Sequence, residues 1–259
     1  IKSMSFQQTP ESVLWVATTA GKLLAVTYNE EQNTIAFTSG EVSGGEVEWV
    51  ATVPEGDEDA TYLLVKRTIN GVTQRYIEKL DWGNWTTDQE IRNAHDCRKE
   101  VTGAAATVWS GFDHLEGETV SVLADDIYHG EFEVTGGAIT LTREATKVSA
   151  GLPYIARVKQ EAPEVAMGTG TSQGQAISVH STKIRFYKAI GCWINDRKIP
   201  FRNFDTAETL DSAPAPFSGL KEASGLGWGN GEAELTLEQR LPYPWTILGV
   251  IRDMTINSG

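Results

Sequence analysis

Short runs of apolar and β-branched residues recur along the chain about every ten positions, with turn chemistry between them, the mark of antiparallel β structure. Between Ser12 and Pro54 this predicts strands over residues 13–18, 22–28, 34–38 and 47–53. The breaks fall at Ala20-Gly21, at residues 29–33 and at Ser43-Gly44-Gly45. From Tyr62 to Leu80 the pattern sharpens into a hairpin. Asn70-Gly71 accepts positive φ at both positions, as a two-residue type I′ turn requires. Its register sets Ile69 against Val72, Val65 against Tyr76, Leu64 against Ile77 and Lys66 against Arg75. Like charges facing each other are unfavourable. The ribbon therefore reads as an apolar base with a basic tip of Lys66, Arg67 and Arg75. That tip is either solvated or a contact for a neighbouring subunit or DNA.

The pattern also repeats. Leu14-Trp15-Val16, Gly21 and residues 23–28 return as Leu63-Leu64-Val65, Gly71 and residues 72–77; Leu14 to Leu63 is 49 residues and Gly21 to Gly71 is 50. Four strands at that period fit one blade of a β-propeller; a seven-to-nine-stranded sandwich is the rival. One and a half blades are legible, and a closed propeller needs at least about four. With no methionine at Ile1, the expectation is a fragment whose missing blades lie upstream.

Residues 81–160 form a second unit. Thr87-Asp88-Gln89-Glu90 matches a capping box, predicting a short helix near 88–96. His95, Asp96 and Cys97 adjoin but lack a second ligand pair, so no metal is expected. A small β domain follows, with alternation over 119–123 and Gly136-Gly137 turning 132–134 into 138–141. Asp113-His114-Leu115-Glu116-Gly117 offers acid/base groups, yet Asp, Glu and Gly between apolar strands are turn chemistry first. Residues 161–175 read as a linker. Next comes a long strand over 176–190, with Ile177, Val179 and Ser181 on one face and His180 as a sheet residue. Residues 204–231 read as a 28-residue loop, long enough to suggest function. Its Phe217 and Trp228 are candidate anchors on another subunit. Alternation over 232–238 and a last strand at 246–251 close a β-sandwich-like domain. The fold class is thus all-β: a propeller-like antiparallel meander over 1–80, a small β domain over 81–160 and a C-terminal β domain over 161–259.

Composition narrows the function. The 259 residues carry a net charge of −13. That argues against a general nucleic-acid-binding surface but suits an acidic wall that DNA slides past. Cys97 and Cys192 lie in no metal spacing and read as reduced thilos of a protein assembled in a reducing cytoplasm. No run of 18 apolar residues occurs, so no membrane insertion is expected. Phosphate-loop, dinucleotide and Ser/His/Asp signatures are absent, and neither cofactor nor catalytic residue is assigned. The eight tryptophans admit a carbohydrate- or host-surface-binding module as an alternative. Trp15, Trp49 and Trp109, however, sit in apolar strands and read as core. A glycosidase is the weakest reading, because 35 acidic residues guarantee accidental carboxylate pairs.

Three ordered motifs add a resemblance. Residues 110–125, SGFDHLEGETVSVLAD, resemble the GLDHLEGKTVSVLADG signature of bacteriophage tail proteins. GLPY at 151–154 matches the stretch that follows it, and the hairpin VKRTING and RYIE at 65–78 resembles a third family motif. The family is that of the tail nozzle, or tail tubular, proteins of short-tailed phages. The match runs through roughly residues 5–160 and weakly beyond. Phe112, Glu118 and Asp126 depart from the usual Leu, Lys and Gly. The resemblance implies a propeller-bearing structural subunit of the virion tail, assembled in the host cytoplasm. It implies a six-fold homo-oligomeric ring below the portal and adaptor, next to fibres or spikes, through which duplex DNA passes without tight binding. On this reading Lys66, Arg67, Arg75, Phe217 and Trp228 are candidate subunit contacts, while Asn70, Gly71, Gly111 and Gly117 define turns.

Overall fold

The computed structural model describes residues 1–29, 33–81, 94–167, 170–172, 176–201, 212–224, 228–229 and 234–257. Among these the chain is nearly all antiparallel strand, with one 3-10 turn at Asp113–Leu115. Strands β1 (Ser3–Gln7), β2 (Val13–Ala17), β3 (Leu23–Asn29) and β4 (Thr34–Gly40) form a meander in chain order. A second meander joins β5 (Gly45–Glu55), β6 (Glu58–Ile69) and β7 (Val72–Lys79). The strand expected at 47–53 therefore opens the second sheet instead of closing the first. The first sheet takes β1 as its fourth strand. Polar residues hid β1 from the hydrophobic pattern: Ser3 and Ser5 point inward, where their hydroxyls accept from Val50 N–H and Thr52 N–H at 2.9 Å. They thereby satisfy buried edge amides of the facing sheet. Val13, Trp15, Ala17 and Leu23 of the first sheet share one core with Val47, Val50, Leu63 and Val65 of the second.

A β-bulge between Val47 and Trp49 shifts the phase of β5. Val50 turns inward and Trp49 outward, leaving Trp49 53% exposed, whereas Trp15 and Trp109 are buried. The alternation expected from the sequence placed all three in the core; one extra residue opposite β6 moves Trp49 to the other face.

The β6–β7 hairpin has the predicted register, Ile69 to Val72, Val65 to Tyr76, Leu64 to Ile77 and Lys66 to Arg75. Asn70 and Gly71 have φ of 47° and 72°. Nothing lies within 4 Å of a Cβ built on Gly71, so a side chain there meets no clash and only the left-handed backbone opposes it. Gly71→Val is expected to cost on the order of 1–3 kcal/mol. The check is a thermal melt against Gly71→Asn, which tolerates that backbone and should melt close to the parent.

The next sheet contains β8 (Asp96–Ser110), β9 (Thr119–Ala124), β10 (Ile127–Glu133) and β11 (Ala138–Leu152), ordered β10-β9-β11-β8. The helix expected near 88–96 falls mostly outside the described residues, and Asp96 opens β8. The expected hairpin across Gly136-Gly137 is reduced to one bridge, Thr135 to Ala138. Beyond it β11 turns away to pair with β8 and β9, burying Val148 and Ala150 between them.

The C-terminal unit holds β12 (Ala156–Gln160), the short β13 (Ala166–Met167) and β14 (Gly170–Thr171), then β15 (Ala176–Ala189), β16 (Cys192–Ile194) and β17 (Arg197–Ile199). It ends with β18 (Phe217–Ser224), β19 (Trp228–Gly229), β20 (Leu235–Gln239) and β21 (Ile247–Asn257). One sheet runs β12-β20-β16-β17. In the other, β15 pairs with β21 along one edge and with β18 and β19 along the other. Ile184, Phe186, Cys192, Ile194, Leu235 and Leu237 fill the space between the sheets, which is the expected sandwich. Two expectations are corrected. The span 204–231 is not one loop: its residues 217–224 alternate half-buried and exposed as β18. And β15 carries a bulge between Val179 and Ser181, so after Ile177 and Val179 it is Thr182, not Ser181, that is buried.

Candidate functional site

The end of the hairpin is anchored on the neighbouring sheet, although Asn70, Gly71 and Val72 stay exposed. Ile69 is buried beside Trp109, Phe112 and Leu115 in the core of the β8–β11 sheet, and Tyr76 packs against the same cluster. The Tyr76 hydroxyl donates to the His114 carbonyl at 3.3 Å. Asn70 N–H donates to Glu118 Oε1 at 2.9 Å. A Cβ on Gly117 would stand 3.0 Å from Asn70 Cγ. With φ of 99° at Gly111 and 75° at Gly117, the four expected turn residues all adopt the left-handed backbone. Two of them, Asn70 and Gly117, meet in one contact.

Arg67 is the main correction. Its side chain is fully buried and offers no surface to a subunit or to DNA. Nε and Nη2 donate to Glu78 at 2.7 and 2.8 Å, a second bond from Nη2 reaches Asp96 Oδ1 at 2.8 Å, and Nη1 donates to the Ser43 carbonyl. Asp96 in turn accepts from Ser43 N–H. Burial pulls the guanidinium pKa down, but the Glu78 and Asp96 carboxylates outweigh it and hold the pKa above its ordinary value. The same burial pushes the neighbouring Cys97 thiol up to about 12. The other two basic residues expected at the tip are also engaged, Lys66 with Glu46 at 2.7 Å and Arg75 with Glu48 at 2.6 Å. A period-two reading puts Arg67 on the same face as Val65, and so inward. The sequence alone did not show which carboxylates would meet it there.

The polar residues of 113–126 perform structural tasks. Glu116 accepts from Gly136 N–H and Gly137 N–H at 2.9 and 2.6 Å, tying down that turn. A Cβ on Gly137 would lie 2.2 Å from Asp113 Oδ1. Asp125 Oδ1 accepts from Thr146 N–H and Lys147 N–H at 3.0 Å. Asp126, where the resembling family has Gly, sits at φ 64° and pairs with Lys147 at 2.7 Å. His114 lies within hydrogen-bond reach of the Cys97 carbonyl, and burial lowers its pKa. Burial and the Arg98 charge push His95 down to about 3, so it is neutral at physiological pH. No three His, Cys, Asp or Glu side chains among the described residues are placed to hold a metal. The GLPY stretch at 151–154 joins the same region: Ser43 Oγ donates to the Pro153 carbonyl at 2.9 Å, and a Cβ on Gly151 would lie 2.7 Å from His95 Cβ.

Phe217, a candidate subunit contact, turns part of its ring to its own domain. It is partly buried against the sandwich core, edge-on to Phe201 at 5.8 Å and beneath the Lys221 ammonium at 4.6 Å. Trp228 lies in β19, opposite Ser178 of β15. Tyr243 clamps the sandwich to the β8–β11 sheet, accepting from Tyr128 N–H at 2.7 Å and donating to the Asp126 carbonyl at 3.2 Å.

One surface escaped the sequence reading. The face of the first sheet turned away from its core carries Met4 and Phe6 on β1, Leu14 and Val16 on β2, Leu24, Val26 and Tyr28 on β3, and Ile35 and Phe37 on β4, aligned across the strands. The signal was present: VLWVA and LLAVTY are apolar at both parities, the pattern of strands covered on both faces. No family model matches this sequence, and no curated protein matches it.

Proposed function

We propose that this chain is a structural, non-enzymatic subunit of a short-tailed phage tail nozzle, part of a homo-hexameric ring through which DNA leaves the virion. The observation that carries the reading is the convergence of its three resembling motifs. The hairpin at 65–78, the turn within 110–125 and the stretch at 151–154 are distant in sequence, yet Ile69, Phe112, Leu115 and Leu152 share one core, Asn70 bonds to Glu118, and Gly151 pairs with Ser121. Motifs that jointly build one junction are a stronger resemblance than motifs that happen to co-occur. Adaptor or portal-proximal proteins above and fibres or spikes beside are the partners this reading supplies, in a tail assembled in the host cytoplasm. Trp228 stays a candidate subunit contact.

The net charge of −13 and the engagement of Lys66, Arg67 and Arg75 with carboxylates support passage of duplex DNA with few fixed phosphate contacts. Electron microscopy of the full-length protein tests the proposal: a six-fold ring with an open axial channel is expected. Particles without rotational symmetry would overturn it. Anisotropy of labelled duplex should show no binding at physiological salt, and a tight complex with a steep salt dependence would remove the sliding-wall element.

A further inference from the structure

The β8–β11 sheet and the C-terminal sandwich each have a core of their own. Among the described residues no strand of one unit pairs with a strand of the other. They meet through a small cluster, Leu123 of β9 against Ile190 and Tyr243, with Tyr128 and Leu241 partly buried beside them. Hydrogen bonds cross the same place: Ala94 N–H donates to the Pro242 carbonyl at 3.0 Å, and the Tyr243 hydroxyl holds Tyr128 N–H and the Asp126 carbonyl. A junction this small between two separate cores permits relative motion. It also carries polar groups that nothing satisfies. Ser121 and Leu123 lie opposite Gly151 and Ser149, on the face turned away from Val120, Val122, Val148 and Ala150. Ser121, Leu123 and Ser149 are 3%, 1% and 1% exposed, so this second face of the sheet is covered as well. His95 stands over it, where a Cβ on Gly151 would lie 2.7 Å from its own Cβ; the missing side chain is what admits it. Neither imidazole nitrogen has a hydrogen-bond partner, nor does Ser149 Oγ. A neutral ring tolerates that far better than an imidazolium, which has a charge and two N–H donors to satisfy.

We propose that this junction is an acid-released hinge: protonation of His95 favours a state in which the sandwich swings off the Ser121–Leu123 patch about residues 153–155, with both cores still folded. The carboxylates around the ring are already paired with cations. On β8, Asp96 is held by Arg67 at 2.8 Å, and Arg98 faces Asp81 at 2.8 Å and Glu100 at 4.0 Å. β9 and β11 present Ser121, Ser149 and Gly151, and further along the same face Lys147 binds Asp126 at 2.7 Å. The sandwich brings Pro242 and Tyr243; the phenols of Tyr243 and of Tyr154 at the pivot are neutral at and below neutral pH. Burial first, then the Arg98 charge, hold the closed-state pKa of His95 at about 3, against the Ser121 backbone, which favours the cation. A hydrated histidine titrates at about 6.5. The open state therefore binds more protons at acid pH. The preference for the closed state is complete above about 6.5 and is lost as pH falls toward the closed-state value. Within that window the closed-to-open ratio falls about tenfold per pH unit, roughly thirtyfold between pH 7.5 and 5.0.

Amide hydrogen exchange reads the hinge directly, because Tyr128 N–H and Ala94 N–H are protected by bonds that cross the junction. After division by the intrinsic rate at each pH, the protection of both should fall about thirtyfold between pH 7.5 and 5.0. Amides in the β9–β11 ladder should keep theirs. His95→Leu, which fills the site with an apolar side chain, should fold and lose the pH dependence; His95→Gln gives the same reading with a polar group that does not titrate. His114→Gln and His129→Gln, at two other histidines whose pKa burial lowers, should retain it. Unchanged protection of Tyr128 and Ala94 in the wild-type chain overturns the proposal, as does a fall that survives in His95→Gln. A fall that reaches the β9–β11 amides to the same extent overturns it too, since acid then unfolds the sheet instead of opening a hinge. None of these outcomes touches the ring reading, which rests on the image of the full-length protein.

Discussion

Replacing Arg67 with methionine should destabilise the chain by about 3–5 kcal/mol, the cost of leaving buried carboxylates without their cation. For a chain of this size that is on the order of 10 °C in Tm. The side chain is fully buried and supplies donors to Glu78, Asp96 and the Ser43 carbonyl at once. Methionine fills much of the volume but returns none of those bonds. Lysine keeps the charge and still loses the planar fork that grips Glu78 twice, so Arg67→Lys should fall between wild type and Arg67→Met. The check is a set of thermal melts that includes the triple variant Arg67→Met, Glu78→Gln, Asp96→Asn. That variant should recover part of the loss, because it removes the stranded charges together with the cation. A loss below 1 kcal/mol for Arg67→Met would mean that the network is hydrated and carries little.

Phe112→Ala should cost a similar 3–5 kcal/mol, through the transfer of a large ring and the cavity it leaves. Phe112 has no exposed surface and sits where Ile69 of the hairpin meets Leu115 and Val120. Phe112→Leu, the residue of the resembling tail motif, keeps most of the volume and should cost under about 1.5 kcal/mol. Urea unfolding of the two variants separates the cases: a large drop in midpoint for alanine, a small one for leucine, and an unchanged slope for both. Equal drops would indicate that the site tolerates no reduction in volume at all.

Local chemistry was the legible part of the sequence. Asn70-Gly71 fixed its own register because a two-residue type I′ turn permits one pairing, and the sandwich was readable from clean alternation such as Leu235 and Leu237. What failed were inferences that treated the period of two as unbroken. Bulges at Glu48 and His180 add one residue each, and every side chain beyond them changes face. The basic tip failed for a different reason. Charge on a strand reads as solvent-facing, yet Arg67 points inward because Glu78 and Asp96, from two other strands, arrive to meet it. Such long-range pairing has no local sign. The strand β1 was missed because its inward residues are serines chosen for their hydroxyls. The outer face of the first sheet, by contrast, was visible in the doubly apolar runs of β2 and β3 and went unread.

Ile69 belongs by hydrogen bonding to the β5–β7 sheet and by packing to the β8–β11 core, and this double membership bears on autonomy. The compositional border near residue 80 looks like a place to divide the chain, but a cut there strips the second unit of a side chain from its interior and bares Ile69 and Tyr76 on the first. Neither half is then expected to fold as stably as it does in the whole chain. Local opening of the hairpin should expose the amides of β6 and loosen the turn around Phe112 in the same event, so slow hydrogen exchange in the two regions is expected to follow one shared free energy.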